Sequence, residues 1–188
     1  HEVLQIYTNM ANLGRSKKLS FITSVIDKEN RVAFKLSNQS EILFDEASVS
    51  TLLGVMKQTT RTGSAKLISI AKYPFQVAGK TGTTSDYKDA WFAGITPFMS
   101  TIVWVGYDQN LVSGLTGASG AVPVWLDFMK QASSNQADVE FPFDESKVKK
   151  VLITKEVLEK AGISNNIEPE IEPFELLFDN KKIPSYLK

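Results

Sequence analysis

The sequence contains no cysteine. That excludes disulfides, thiolate zinc sites and a cysteine nucleophile. It contains one histidine, His1, which reads as a frayed terminus and leaves little room for a Ser-His-Asp triad or a histidine metal site. An excess of charge of either sign is also lacking, since 21 Lys plus Arg balance 21 Asp plus Glu. A nucleic-acid or anionic-membrane surface wants a basic excess, so no nucleic-acid partner is expected. The short basic runs Arg15-Ser16-Lys17-Lys18 and Lys147-Val148-Lys149-Lys150 read as solvated faces. No run of about 18 or more apolar residues occurs, so no membrane segment is expected within these residues. No secretory signal pattern is present either, and any targeting signal is expected upstream of residue 1.

What is present suits an ordinary globular chain. Its 188 residues, 43% of them hydrophobic and 22% charged, can bury one core. Residues 2 to 13 place Val3, Leu4, Ile6, Tyr7, Met10, Ala11 and Leu13 at helical spacing, and Gly14 follows as a stop signal. Leu19 to Ile26 and Arg31 to Lys35 read as strands around the turn Asp27-Lys28-Glu29-Asn30. Asp45 and Ser48 are candidate N-caps of a helix reaching about Thr60, with Val49, Leu52, Leu53 and Met56 on one side. Phe75 to Gly82, Asp89 to Thr96 and Thr101 to Tyr107 predict three strands joined by short turns, an antiparallel meander. Gly114 to Gly120 is a loop of small residues. Pro123 opens a helix to about Gln131 with Val124, Phe128 and Ala132 inward. Ser133-Ser134-Asn135-Gln136 reads as a linker. Residues 138–188 read as a small appendage with one strand at Val148 to Ile153, then an extended tail. The fold class expected is α+β, an antiparallel sheet flanked by helices.

Chemistry concentrates at Val77-Ala78-Gly79-Lys80-Thr81-Gly82-Thr83-Thr84, the end of a predicted strand. A bare Lys-Thr-Gly is weak, but its flanks are distinctive: Asp89-Ala90-Trp91-Phe92-Ala93-Gly94, Val103-Trp104-Val105-Gly106-Tyr107-Asp108 and Ala121-Val122-Pro123-Val124-Trp125. Together they resemble the third motif region of the serine penicillin-recognising enzymes, whose set is S-x-x-K, S-x-N and K-T-G. The class A, bifunctional penicillin-binding proteins are the nearest in pattern. Tyr7 to Gly14 is similar to the helix end that follows the S-x-N motif in that family, and Thr62-Gly63-Ser64-Ala65 to its Thr-Gly loop. The resemblance covers residues 2 to 132 and persists faintly at Phe141-Pro142 and Val148 to Thr154. It implies that residues 1–132 are the C-terminal portion of a transpeptidase domain with a penicillin-binding/β-lactamase-like fold, and that 133–188 are linker and appendage.

The resemblance also implies roles. Lys80 and Thr83 would be catalytic, and Lys80, Thr81, Gly82, Thr83 and Thr84 would bind substrate. A strand edge can hold a peptide by β-augmentation. Lys80 supplies positive charge near a terminal carboxylate, and Thr81 and Thr83 supply hydroxyls. Gly82 allows close approach to the backbone. The Thr83 backbone N–H would be one oxyanion donor. The implied partners are stem peptides ending in D-Ala-D-Ala, β-lactams and the upstream half of the same domain, with no cofactor and no metal. The implied place is the extracytoplasmic face of a bacterial membrane, held by an upstream anchor beside an upstream glycosyltransferase domain. Trp91, Phe92, Trp104 and Trp125 read as core, and Asp86 and Asp89 as turn caps.

No upstream S-x-x-K is present. Ser85-Asp86-Tyr87-Lys88 falls in the turn after the K-T-G strand, and Ser146-Lys147-Val148-Lys149 falls in the appendage. The strings Ser133-Ser134-Asn135 and Ser164-Asn165-Asn166 lie downstream of K-T-G and are poor S-x-N candidates. The chain is therefore expected to carry one wall of a cleft and to be inactive alone. The alternatives are a β-lactamase or carboxypeptidase relative and a non-catalytic penicillin-sensing or structural module.

Overall fold

The structure, a computed structural model, describes residues 1–37, 39–163 and 172–187. The first helix, α1, spans Glu2–Ala11. Asn12 closes it by donating Nδ2 to the Thr8 carbonyl at 2.7 Å. Leu13 and Gly14 then take positive φ, 54° and 87°, and a Cβ at Gly14 would collide with the Phe44 carbonyl oxygen. Only glycine suits both demands. A two-stranded hairpin follows, β1 Ser24–Ile26 and β2 Val32–Lys35, turning on Asp27, whose carboxylate accepts from the Glu29 and Arg31 amides. The first strand is shorter than expected. Upstream of it the Leu19 amide bonds instead to the Gln5 side chain, so the segment leans on α1.

Helix α2 spans Glu46–Arg61 with Asp45 as its N-cap, accepting from both the amide and the hydroxyl of Ser48 at 2.9 Å. Val49, Leu53 and Met56 are buried, but Leu52 is exposed. Leu52 sits 100° around the helix from Leu53, and the sheet takes only the Leu53 side. A short helix absent from the sequence reading, α3 Leu67–Ile70, follows the Gly63 break.

The meander is as expected in type and order: β3 Ala78–Thr83, β4 Ala90–Ile95 and β5 Ser100–Val105, all antiparallel in the order β3-β4-β5. Strand alternation divides the core in two. Phe92 points to one face and meets Trp125, Val122 and Met129 of α4, Val122–Ala132. Ala78 and Ile95 point to the other face and meet Val49, Leu53 and Met56 of α2, with Tyr7 and Met10 of α1 beside them. The inward side of α4 is thus Val122, Trp125, Leu126 and Met129, and Val124 and Phe128 are exposed, contrary to expectation. Nearly every α4 residue up to Met129 is apolar, so periodicity alone does not choose a face. Tertiary space chooses it: a Cβ at Gly94 would lie 2.5–2.6 Å from the Trp125 ring atoms Nε1 and Cζ2.

Among the described residues after 138, the chain holds more regular structure than an extended tail. Strand β6, Val148–Ile153, has the bounds expected. A short helix α5, Lys155–Lys160, follows, and β7, Phe174–Asp179, returns antiparallel to β6. Ser133, read as linker, is buried, with its hydroxyl between Tyr73 and the Met129 carbonyl. The α+β class, an antiparallel sheet between helices, holds throughout.

Two predictions follow from this packing. Gly94→Ala should overpack the Trp125 contact and cost about 1–3 kcal/mol, read as a lower urea midpoint; an unchanged midpoint would contradict the contact. Asp45 is held below its ordinary 3.8 by the Ser48 amide first and the Ser48 hydroxyl second. Its capping contribution is therefore complete above that value and is lost as pH falls through the lower folded value. Asp45→Ala should lower the thermal midpoint at pH 7, and the gap from wild type should close in acid.

Candidate active site

Strand β3 carries all but one of the singled-out residues. Its register with β4 pairs Lys80 with Ala93, Thr81 with Phe92, Gly82 with Trp91 and Thr83 with Ala90. Just past the ladder, the Thr84 amide donates to the Asp89 carbonyl at 3.1 Å. Antiparallel rungs alternate between bonded and non-bonded pairs. Counting back from Thr84, the amides of Gly82 and Lys80 face β4, and those of Thr83 and Thr81 face the opposite edge. Among the described residues that edge has no strand partner. The amides and carbonyls of Thr81 and Thr83 thus stand on an open ledge.

Side chains gather on the same ledge. The Lys80 ammonium donates to the Thr81 carbonyl at 2.6 Å and is otherwise exposed. The Thr81 hydroxyl lies 2.6 Å from that of Ser64, in the Thr62–Ala65 loop. The Thr83 hydroxyl accepts from the buried Gly117 amide at 3.0 Å, which leaves its own proton free to donate. Thr84 turns the other way. Its hydroxyl accepts from the Lys88 and Asp89 amides and organises the turn. The structure thus brings Lys80, Thr81 and Thr83 together and gives Thr84 a turn-forming place beside them.

Gly117 opens a π-helical turn, Gly117–Ala121, that leads into α4. Thr116 and Ser119 cap it reciprocally, amide to hydroxyl, at 3.0 and 3.1 Å. The turn lies on the sheet so closely that a Cβ at Gly117 would sit 2.5 Å from the Trp91 carbonyl oxygen and 2.8 Å from that of Gly82. Sequence reading missed the contacts of Ser64 and Gly117 with the two threonines. The available signals were the Thr-Gly pairs at 62–63 and 116–117. A Cβ at Gly82 would lie 3.2 Å from the Trp91 Cβ, so its bareness serves the ladder as well.

Two of the four aromatics depart from expectation. Phe92 and Trp125 are fully buried, but Trp91 is 36% and Trp104 41% exposed. They pair with each other across β4 and β5 at 6.1 Å, beyond the part of the sheet that α1 and α2 cover. Asp89 caps no turn with its side chain. It accepts from Trp104 Nε1 at 2.9 Å. Asp86 pairs with Lys88 at 3.7 Å. Both Ser-x-x-Lys strings lie off helix N-termini: Ser85 in the β3–β4 turn, and Ser146 in a turn on Asp144. Ser164-Asn165-Asn166 lies outside the described residues.

A cavity of about 590 Å³ lies behind α2 and contains none of Lys80 to Thr84. Lys57 lines it, bonded to Gln76 at 2.9 Å, and burial lowers its ammonium pKa. A ledge, rather than a pocket, is what one wall of a cleft looks like. Among the described residues no group of three or more acidic or histidine side chains could hold a metal, and no helix is long and apolar enough to cross a membrane.

Residues 1–129 match the family described as the penicillin binding protein transpeptidase domain, and the chain belongs to that family. It is 31% identical over 142 residues to penicillin-binding protein 1B of Vibrio cholerae, covering 76% of this chain and 18% of that protein. It is 34% identical over 144 residues to penicillin-binding protein 1B of Escherichia coli, covering 76% and 17%. The chain thus spans under a fifth of the length of these relatives. Penicillin-binding protein 1A of Haemophilus influenzae shares the fold, with a TM-score of 0.76 at 19% identity over 98% of this chain and 32% of that one.

Thr83→Val should strand the buried Gly117 amide without an acceptor and cost about 1–3 kcal/mol. Thr83→Ser keeps the hydroxyl and should stay near wild type in the same denaturant titration.

Proposed function

We propose that this chain forms the K-T-G wall of a serine D,D-transpeptidase that cross-links peptidoglycan stem peptides. The observation that carries the reading is the open edge of β3, where the amides of Thr81 and Thr83 face outward beside the Lys80 ammonium. A stem peptide ending in D-Ala-D-Ala adds to this edge as a short strand. The free Thr83 hydroxyl proton, the Thr81–Ser64 hydroxyl pair and Lys80 receive its carboxylate. The Thr83 amide then points at the carbonyl oxygen where negative charge develops.

The nucleophile in this reading is a serine outside these residues. Its Oγ attacks the penultimate D-Ala carbonyl, and the C–N bond breaks. The terminal D-Ala leaves with the proton that the serine gave up. An acceptor amine from a neighbouring stem peptide then attacks the acyl ester: the new amide C–N bond forms, the ester bond to Oγ breaks, and the proton lost by the amine goes to the released serine Oγ. A β-lactam enters the same cleft and acylates the same serine. A fold relative, penicillin-binding protein A of Mycobacterium tuberculosis, is described as a ceftriaxone acyl-enzyme complex, at a TM-score of 0.57. Another, from Eggerthella lenta, is described as a D,D-transpeptidase domain, at 0.58. The reading places the protein at the extracytoplasmic face of the cell membrane, anchored by a segment outside these residues. By itself the chain neither acylates nor transfers. Exposed Trp91, Trp104, Val124 and Phe128, and the outer edge of β5, which has no strand partner among the described residues, are the surfaces the upstream half would cover.

Incubation with a fluorescent penicillin, followed by intact mass, tests this. Label is expected on the upstream half only, and only when the two halves are mixed. An adduct on residues 1–188 alone would place a nucleophile within them and refute the split assignment. A folded complex that takes no label would favour a non-catalytic module.

A further inference from the structure

Helix α2 is loaded on two opposite faces. One face holds the K-T-G strand. Val49, Leu53 and Met56 pack on Ala78 and Ile95, and the Thr60 hydroxyl donates to the Val77 carbonyl at 2.7 Å. The other face holds the C-terminal hairpin β6–β7. Leu177 lies so close that a Cβ at Gly54 would be 3.3 Å from its Cβ, its Cγ and its amide nitrogen. One turn further along, the Gln58 side chain donates to the Glu175 carbonyl at 3.0 Å. At the helix start, Lys147 pairs with Glu46 at 2.6 Å, and Ala47, Val148 and Leu177 form a buried cluster. Phe143 packs on that cluster and stacks with Phe141 at 5.6 Å. Phe141 in turn is buried in the same cluster as Leu53, Ala78 and Ile95. The family match ends at residue 129, whereas every one of these outer contacts comes from beyond it.

We propose that the C-terminal hairpin sets the position of the K-T-G strand by bracing α2 from behind, which makes Leu177, Gly54 and Phe141 positioning residues for acylation. The proposal rests on the transpeptidase reading above. The packing of Val49, Leu53 and Met56 on Ala78 and Ile95 is close, and a close-packed layer transmits a displacement instead of absorbing it, so a shift of α2 reaches β3. Around the cavity behind the helix, the hairpin meets α2 at three places, Leu177 on Gly54, Glu175 on Gln58 and Lys147 on Glu46, and these contacts hold α2 against β3. Without it, α2 relaxes outward, and the ledge of Thr81 and Thr83 follows through Ala78 and the Thr60–Val77 bond. The hairpin touches no substrate. It acts through the helix.

The test uses the protein that carries this chain together with its upstream half. Leu177→Ala, Leu177→Met, Gly54→Ala and the control Leu152→Ala, at an exposed site on β6, are compared. Three readouts are taken: Tm, the second-order rate constant for acylation by a fluorescent penicillin well below the lowest Tm, and hydrogen exchange of the peptide covering 78–84. Leu177→Ala should slow acylation by roughly tenfold to a hundredfold, the scale of an ångström-sized misplacement, and should speed exchange in 78–84. Leu177→Met should restore most of the rate, and Leu152→Ala should change nothing. Gly54→Ala separates position from stability. It improves the helix propensity of α2 while pressing on Leu177, so acylation should slow severalfold without loss of Tm. A fall in Tm with unchanged acylation and unchanged exchange would overturn the brace and leave the hairpin a mere cover. A folded wild-type protein that takes no label would instead defeat the transpeptidase reading. Faster exchange of 78–84 in Leu177→Ala would then still support the hold of the hairpin on the strand.

Discussion

The indole of Trp125 lies against the β4 backbone at Gly94, in space that any side chain there would occupy. That contact fixes how closely α4 can approach the sheet. Phe92 meets the same indole edge-on at 5.3 Å, and Tyr73 meets it at 5.8 Å, so three aromatics share one anchor. The π-helical turn Gly117–Ala121 runs directly into α4, so its place over the sheet follows from the same anchor. Gly117 lies on the Gly82–Trp91 rung and gives its amide to Thr83. A packing contact in the core thus sets a hydroxyl on the ledge. The site has little freedom because its supports have none.

The opposite face of the sheet is held differently. There α2 is the middle layer between β3 and a hairpin that the chain supplies much later. Among the described residues the outward face of α4 and the outer edge of β5 have no such cover, and Val124 and Phe128 on the helix and Trp104 on the strand are exposed. Soluble monomers seldom leave so much apolar surface uncovered. The contrast lies in the two sides of the sheet: α2 is packed on both of its faces, whereas α4 is packed on one.

Much of this was legible from local signals. The Asp45 cap, the K-T-G strand end, the three-strand meander and β6 follow from capping, alternation and turn residues, all of which act over a few positions. Lys80 to Thr84 were singled out as a group by the resemblance of this strand end and its flanks to a family motif, not by periodicity. What escaped depended on distant partners. The inward side of α4 is decided by a glycine on another element. Trp91 alternates correctly with Ala93 and Ile95, yet it lies beyond the reach of the helices that bury them. Strand β7 finds its partner and a helix to lie on within a stretch whose composition looks like a tail. The hydroxyl pairing of Ser64 with Thr81 joins residues 17 apart through a loop, which no periodicity encodes.

The spacing of contacts along the chain bears on the order of assembly. The meander joins each strand to its nearest neighbour in sequence, so its loops are short and their closure is entropically mild. The bond from Gln58 to Glu175 spans 117 residues. Low contact order lets the K-T-G strand find β4 early, while the long-range docking of β7 on α2 comes late. What docks late with few hydrogen bonds also opens at low cost. Helix α2 thus meets its two neighbours across very different lengths of chain, 17 residues from Thr60 to Val77 on the sheet side and 117 from Gln58 to Glu175 on the hairpin side.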